Sequence, residues 1–545
     1  MVWNVEANFS YPKIRILYME LYHLSTLDLI IILLYIVGVL LLGMLISRTH
    51  ESSEDYFLAS RSMTWPLIGI SLFASNISST TLVGLSGFAY RNDISVFNYE
   101  WMAAVVLVIF VWFFLPYYIK TRVYTVPEFL EKRFDQRSRY LFSILTLFLN
   151  IVVDTAGSLF AGGLVLKLVF PDWPLWTIIT GLALVAGIYT IAGGLKAVIY
   201  TDVLQTVLLL IGSCIISYVA LHQVGGWDSF IHRVPVQDLS LIRPLSDPNM
   251  PWLGLISGVL IIGFYFWGMN QFIVQRVLSA RDIQHARWGA LFAGFLKLPV
   301  LFIMVLPGVM ARYIFPDLEN QDLVFPTLMF NLLPMGVLGL VLAGLIAALM
   351  SSIDSTLNSA STLVTMDFVQ KFRPQLGSEQ LMWVGRVVTF IFMLLAVLWA
   401  PQIEKFPSLF NYLQHVLSYA VSPVVAILVL GIFWQRMTAS GAFYALLLGF
   451  GAGALLYIAN VILHWMELHF LYIAPILLFI SLIAGIIFSL WDKTPVPKEK
   501  LALHWSRATF DSETVNLHQH AWYQNYRILS LLLLSCTAIL IAVFW

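Results

Sequence analysis

The chain has 545 residues, 60% hydrophobic and 11% charged, with 30 basic and 30 acidic side chains and a formal net charge of zero. So low a charged fraction excludes an ordinary soluble domain, which carries roughly 25%, and the balanced charge gives no sign of a nucleic-acid partner. The two cysteines, Cys214 and Cys536, both lie in apolar stretches, so no disulfide framework is indicated.

Residues 1–25 lack the basic, then apolar, then small-residue pattern of a cleaved signal and read as an extracellular tail. Beyond them come about fourteen apolar runs long enough to span a bilayer. They lie near residues 26–47, 65–90, 99–118, 139–167, 174–193, 198–221, 251–275, 286–311, 327–369, 382–401, 407–434, 438–463, 469–491 and 527–545. The pattern predicts an all-α polytopic membrane protein with one integrated domain. The run 327–369 exceeds a single straight crossing, and is expected to project beyond the bilayer or to hold a second short helix. With the N-terminus outside, about 21 of the 30 Lys and Arg fall on the cytoplasmic side and about eight outside, so both termini are expected outside the cell. Region 222–250 is the largest outer loop and 492–526 a polar cytoplasmic one. His518 and His520 in the latter read as solvated, because no carboxylate or cysteine completes a metal-ligand set.

Within this frame the polar residues stand out. The second span carries Ala74-Ser75-Asn76-Ile77-Ser78-Ser79-Thr80-Thr81 at its centre. Unwound backbone at membrane depth is tolerated only where it faces protein or a water-filled cavity, and a polar break at the midplane is how many transporters build an ion and solute site. Charged side chains inside spans mark function by default; Glu100, Asp154, Asp202, Lys297 and Asp354 are the candidates. Glu100 also reads as a helix-start carboxylate, Asp154 as a hydrogen-bonded packing residue, and Asp202 as a cap after the Gly193-Gly194 turn. The seventh span is interrupted by Gly263 and Gly268, with Phe266 and Trp267 to stack on a solute and Asn270 and Gln271 to hydrogen-bond it. In the ninth span, Ser351, Ser352, Asp354, Ser355 and Asn358 form a second polar patch, with Ser351, Ser355 and Asn358 on one helix face. Hydroxyls and free carbonyls are the ligands a hard cation wants. Two interrupted spans five apart match an inverted five-plus-five repeat. No phosphate loop, HExxH pair or nucleophile elbow appears, so the chain reads as no enzyme, and an ion gradient would have to supply the energy for any uphill movement.

These residues resemble the sodium/solute symporter family, especially its sodium/sugar branch, over nearly the whole chain. The matching strings are Glu54-Asp55-Tyr56-Phe57-Leu58-Ala59, Ala74-Ser75-Asn76-Ile77-Ser78, Tyr99-Glu100-Trp101, Tyr124-Thr125-Val126-Pro127-Glu128-Phe129, Gly193-Gly194-Leu195-Lys196-Ala197 with Thr201-Asp202, Trp267-Gly268-Met269-Asn270-Gln271 with Gln275-Arg276, and Asn358-Ser359-Ala360-Ser361-Thr362. The resemblance implies a LeuT-type core of ten helices at 64–434, with repeats 64–221 and 251–434, a leading helix and loop at 26–63, and additional helices at 435–545. It implies Na⁺ as coupling ion, held by Ala74, Ile77, Ala348, Ser351 and Ser352, and a second ion site at Asp202 and Ser355 with Asp354 close by. For the sugar it implies Asn76, Glu100, Lys297 and Gln414, with Tyr99, Phe266, Trp267 and Phe410 as gate aromatics. The chain departs from a bacterial sugar member of that branch at Thr80 and Thr81, where that member has larger acid and amide side chains, and at Ala103 and Gly263, which replace polar contacts; it departs at Asp154, where other members carry a neutral or basic side chain.

The expected function is therefore Na⁺-driven symport of a small polar solute, a sugar or polyol, by alternating access in the plasma (inner) membrane. The expected partners are the solute, the ion and the lipid, with no protein partner indicated. Sialic acid, inositol or an organic acid as solute, proton coupling, and a transporter-like sensor are the competing readings.

Overall fold

The structure, a computed structural model, describes residues 24–46, 52–406, 408–517 and 521–545, which are almost entirely helical. His518 and His520, and most of the expected outer tail, lie outside the described residues. Among those described, eight helices are long and apolar enough to cross a membrane, and four bent helix pairs pass the same measure together. Two shorter apolar helices, Thr26–Val39 and Leu175–Gly187, stand where the first and fifth spans were expected.

Both spans expected to be broken are broken, and two more are bent. The second span is Trp65–Asn76 followed by Ser79–Arg91, bent by 56°, and the seventh is Trp252–Gly268 followed by Gln271–Leu278, bent by 48°. The eighth (Ile283–Lys297 and Leu301–Ile314, 42°) and the eleventh (Leu409–Ala420 and Ser422–Phe433, 48°) are bent as well. The eighth span has no dense polar patch to announce its bend; Pro299, at the break, and Pro307, inside the second half, cannot donate to the helix ladder.

The fifth and sixth spans share one continuous helical run, Leu175–Gln223, but not one straight crossing. The run doubles back, as two spans require. Leu182 approaches Leu349 across Gly162, Thr190 donates to Asp354, and Leu208 lies against Gly344, so both limbs flank the same stretch of the ninth span. A straight helix would carry residues 182 and 208 roughly 40 Å apart. The segment 327–369 holds a second short helix, as expected: Val324–Leu332 precedes the ninth span proper, Val337–Phe372. Gly336 makes the turn with φ +83°, a conformation open to glycine.

The ninth span is the axis of the molecule, and its residues from Leu338 to Thr362 are nearly all buried. Its first turn is capped from the first span. Asp28 Oδ1 accepts from the N–H groups of Gly336 (2.8 Å) and Gly339 (2.7 Å), and Ser25 Oγ donates to Oδ2 (2.6 Å). A carboxylate there complements the unpaired amides of the helix start. Gly339 is required, because a Cβ would lie 2.6 Å from Asp28 Cα. The second and eighth spans cross as closely at Gly69, whose Cβ would meet the Gly289 carbonyl oxygen at 2.9 Å. Small residues let the backbones approach without a side chain between them.

Candidate functional site

The break in the second span follows from side-chain competition for backbone amides. In an unbroken helix the Ser78 N–H would bond the Ala74 carbonyl and the Thr81 N–H the Ile77 carbonyl. Instead Ser78 N–H donates to Asn76 O (3.0 Å), and Thr81 N–H donates to Ser78 Oγ (3.3 Å), which caps the second half. Serine and threonine favour such local bonds over the helix ladder. The carbonyls of Ala74 and Ile77 are thereby relieved of their helical partners at membrane depth. Both residues line a small crevice with Ala348 and Ser351 of the ninth span. Ser352 lies one residue further on and donates to Ala348 O (3.1 Å). Four of the five residues expected to hold the first ion thus come from two spans and line one crevice, while Ser352 lines the space beside it. Sequence reasoning missed Gln205 and Thr206, which line the same crevice from the sixth span. Gln205 Nε2 donates to Tyr35 Oη (3.2 Å), while its carbonyl oxygen is buried without a partner. The string Gln205-Thr206 after Asp202 was the available signal, since amides inside an apolar span need partners.

Next to the crevice is a cavity of about 140 Å³. Asn76, Thr80, Thr81, Glu100, Asp154, Ser352 and Gln414 give it polar wall, and Tyr99, Phe266, Trp267 and Phe410 aromatic wall. Tyr99 and Phe410 meet edge to face at 5.2 Å and also line a second hollow with Asn249, His415 and His469, so these two rings separate the spaces. Phe266 packs edge to face on Trp267 (5.4 Å) and Phe272 (5.7 Å) at the break of the seventh span. Asn76 Oδ1, Tyr99 Oη and Gln414 Oε1 have no protein partner. Buried polar atoms are almost always hydrogen-bonded; these three, unpaired within the protein, stand together in the wall of one cavity.

Three expected residues are not in the cavity wall. Gln271 is a backbone brace, with Oε1 accepting from Val126 N–H (2.9 Å) and Nε2 donating to Tyr124 O (3.1 Å), which leaves it nothing for a solute. Asn270 is buried and bonds the carboxyl of Asp154, which does line the cavity. Lys297 is fully buried behind Glu100, whose Oε2 accepts from its Nζ at 2.5 Å, and lies 5.5 Å from the ring centres of both Phe73 and Trp267. It acts on the cavity through Glu100.

The expected second ion site is already occupied by a side chain. The guanidinium of Arg276 donates to Asp202 Oδ2 (3.2 Å), to Ser71 Oγ (2.7 Å) and to Ser355 Oγ. Ser71 and Ser351 also donate to Asp202, so both of its carboxylate oxygens are engaged, and Asp202 is a mid-helix ligand rather than a cap. Arg276 is a basic residue near the end of its span, yet it is wholly buried. Asp354 is not part of this group; one position from Ser355, it is turned by the helix's 100° step toward Thr190, which donates to it at 2.6 Å.

The profile of the family described as "Sodium:solute symporter family" matches residues 56–449. The sodium/glucose cotransporter 1 of Oryctolagus cuniculus is 34% identical over 566 residues, covering 93% of this chain and 84% of that protein. The sodium/glucose cotransporter of Vibrio parahaemolyticus is 36% identical over 451 residues, covering 77% and 83%. Among solved structures, a substrate-bound, outward-open Na⁺-coupled sialic acid symporter superposes with TM-score 0.77 at 24% identity, covering 87% of this chain and 99% of that one. The nucleobase-cation symporter Mhp1 in a closed conformation superposes with TM-score 0.58 at 15% identity, covering 83% and 98%. At those identities the likeness is one of fold, the LeuT-type arrangement with two interrupted spans.

Proposed function

Since the chain belongs to the sodium:solute symporter family, we propose that its central cavity takes a sugar or polyol and that Ala74, Ile77, Ala348, Ser351 and Ser352 hold the coupling ion. The protein is a multi-pass membrane protein and a Na⁺-coupled symporter. The observation that carries the site reading is the freeing of the Ala74 and Ile77 carbonyls beside the serines of the ninth span. A Na⁺ ion wants oxygen ligands, and this crevice offers carbonyl and hydroxyl oxygens from two different spans. Binding there ties the broken second span to the ninth. That favours the state in which the adjacent cavity is formed and open outward, so ion and solute bind with positive coupling. Tyr99 and Phe410 act as the outer gate, Phe266 and Trp267 as the inner. Arg276 supplies the positive charge at Asp202 and Ser355, so the proposal keeps one ion site. The core runs over 64–434, and both termini face outward in the plasma (inner) membrane, by the asymmetry of the basic loops.

The test is solute uptake into vesicles holding the purified protein. An inward Na⁺ gradient drives glucose accumulation, and replacing Na⁺ by choline at fixed pH abolishes it. Ser352→Ala raises the Na⁺ concentration for half-maximal uptake by about tenfold or more, the loss of one oxygen ligand costing upward of about 1.4 kcal/mol. Uptake indifferent to both changes overturns the reading.

A further inference from the structure

The cavity wall has a charge imbalance that the family assignment does not explain. Two carboxylates line it, Glu100 and Asp154. Glu100 is neutralised by Lys297 at 2.5 Å. Asp154 has no such partner: no lysine, arginine or histidine among the described residues pairs with it, and its recorded hydrogen bond is to the neutral amide of Asn270. It is aimed at the cavity by a π-bulge over Asn150–Thr155, whose extra residue rotates the fourth span's register at this point. The other unsatisfied groups around the space are mostly acceptors, the carbonyl oxygens of Asn76 and Gln414.

The geometry points to Asp154 as the residue that sets the charge class of the solute. It accepts hydrogen bonds from the solute's hydroxyl or ammonium groups, and it excludes solutes that carry a carboxylate. This rests on the sugar-or-polyol reading and narrows it. An uncharged polyol offers donors to every unpartnered acceptor in the wall. An amine-bearing sugar offers more, and its ammonium favours the ionised form of Asp154. A solute carboxylate brings two further acceptors and a like charge into a low-dielectric space, where juxtaposed like charges are strongly unfavourable. The exclusion is a repulsive element of specificity, separate from the attractive contacts that hold the sugar ring.

Na⁺-driven uptake of glucose, glucosamine and glucuronate by the full chain in vesicles decides it. The wild-type protein takes up glucose and glucosamine and discriminates against glucuronate by about tenfold or more, as like-charge repulsion in a buried site requires. Asp154→Asn keeps the shape and the Asn270 contact, loses the charge, and brings that ratio to within about threefold. Asp154→Glu retains the exclusion. Glucuronate carried by the wild type as well as glucose, or a ratio unmoved in Asp154→Asn, overturns the charge rule and leaves sugar symport standing. Na⁺-dependent uptake of none of the three overturns the sugar reading and the role of Asp154 with it. Should Asp154→Asn fail to fold, Asp154→Ser, which also removes the charge, is held to the same ratio, and the wild-type discrimination stands as its own test.

Discussion

Lys297 and Glu100 meet at 2.5 Å with the lysine wholly buried, although 197 residues separate them in the chain. Each charge alone would be expensive in this setting; together they are tolerated because neither is left uncompensated. Lys297→Met is therefore expected to destabilise the protein by about 3–5 kcal/mol, the usual result of stranding a buried partner. Adding Glu100→Gln to it restores most of that loss, a coupling that thermal unfolding of the four proteins of the double-mutant cycle measures. At this scale the sequence marks candidates better than partnerships. Glu100, Lys297, Asp202 and Asp354 are visible as charges in apolar runs, which is a property of the chain. That Lys297 stands behind Glu100, or that Gln271 is held by the backbone at 124–126, depends on which spans cross. Arg276 shows the limit most clearly. It sits next to Gln275 in a polar-looking segment, and only Asp202, on another span, makes its burial affordable.

The spans themselves are legible because an apolar run of bilayer length has one explanation, and the two site-forming breaks because serine, threonine and glycine at mid-span have few. Local rotations within a helix are not legible. The π-bulge over Asn150–Thr155 leaves no mark in composition, yet it turns Asp154 from a packing residue, one of its expected roles, into cavity wall. The doubling-back of Leu175–Gln223, by contrast, is legible, since the apolar runs 174–193 and 198–221 stand on either side of the Gly193-Gly194 pair. Close crossings of elements make a further prediction. Gly308 of the eighth span is pressed against the outer half of the second, where a Cβ would stand 2.2 Å from the Ser86 carbonyl oxygen. The obstacle is backbone and cannot swing aside. Gly308→Val is expected to lower stability by about 3 kcal/mol, the upper range for overpacking, and to lower the unfolding temperature and the yield of monodisperse protein in detergent.

For the molecule as a whole, stability responds to pH through a group outside the spans. Asp322, in the turn Gln321–Leu323, ties that turn to two spans. The Gln321 carbonyl lies against Gly87 of the second span, and Asp322 Oδ2 accepts from the Leu409 N–H at the start of the eleventh. Burial pushes its carboxyl up to about 6, the Leu409 amide pulling the other way. Arg91, Glu319 and Glu404 line the hollow it shares. The folded protein thus holds this proton more tightly than the unfolded chain, whose carboxyl titrates near 3.8. The resulting stability is fully present below about pH 4 and is lost as pH rises to about 6, after which it is constant. Against Asp322→Asn, which cannot titrate, the wild-type protein is expected to lose on the order of 2–3 kcal/mol across that window, read as the difference between their unfolding curves.

The contact between Asp28 and the amides of Gly336 and Gly339 joins positions 308 and 311 residues apart. Its consequence lies in the order of synthesis. The first span leaves the ribosome long before the ninth, carrying a carboxylate whose main partners do not yet exist, with Ser25 as its local donor. Its final seat is available only after Gly336 and Gly339 have been made. The span carrying Asp28 can dock on the sixth span earlier, through Tyr35, but its carboxylate is seated late, and that seating reports that the ninth span has arrived.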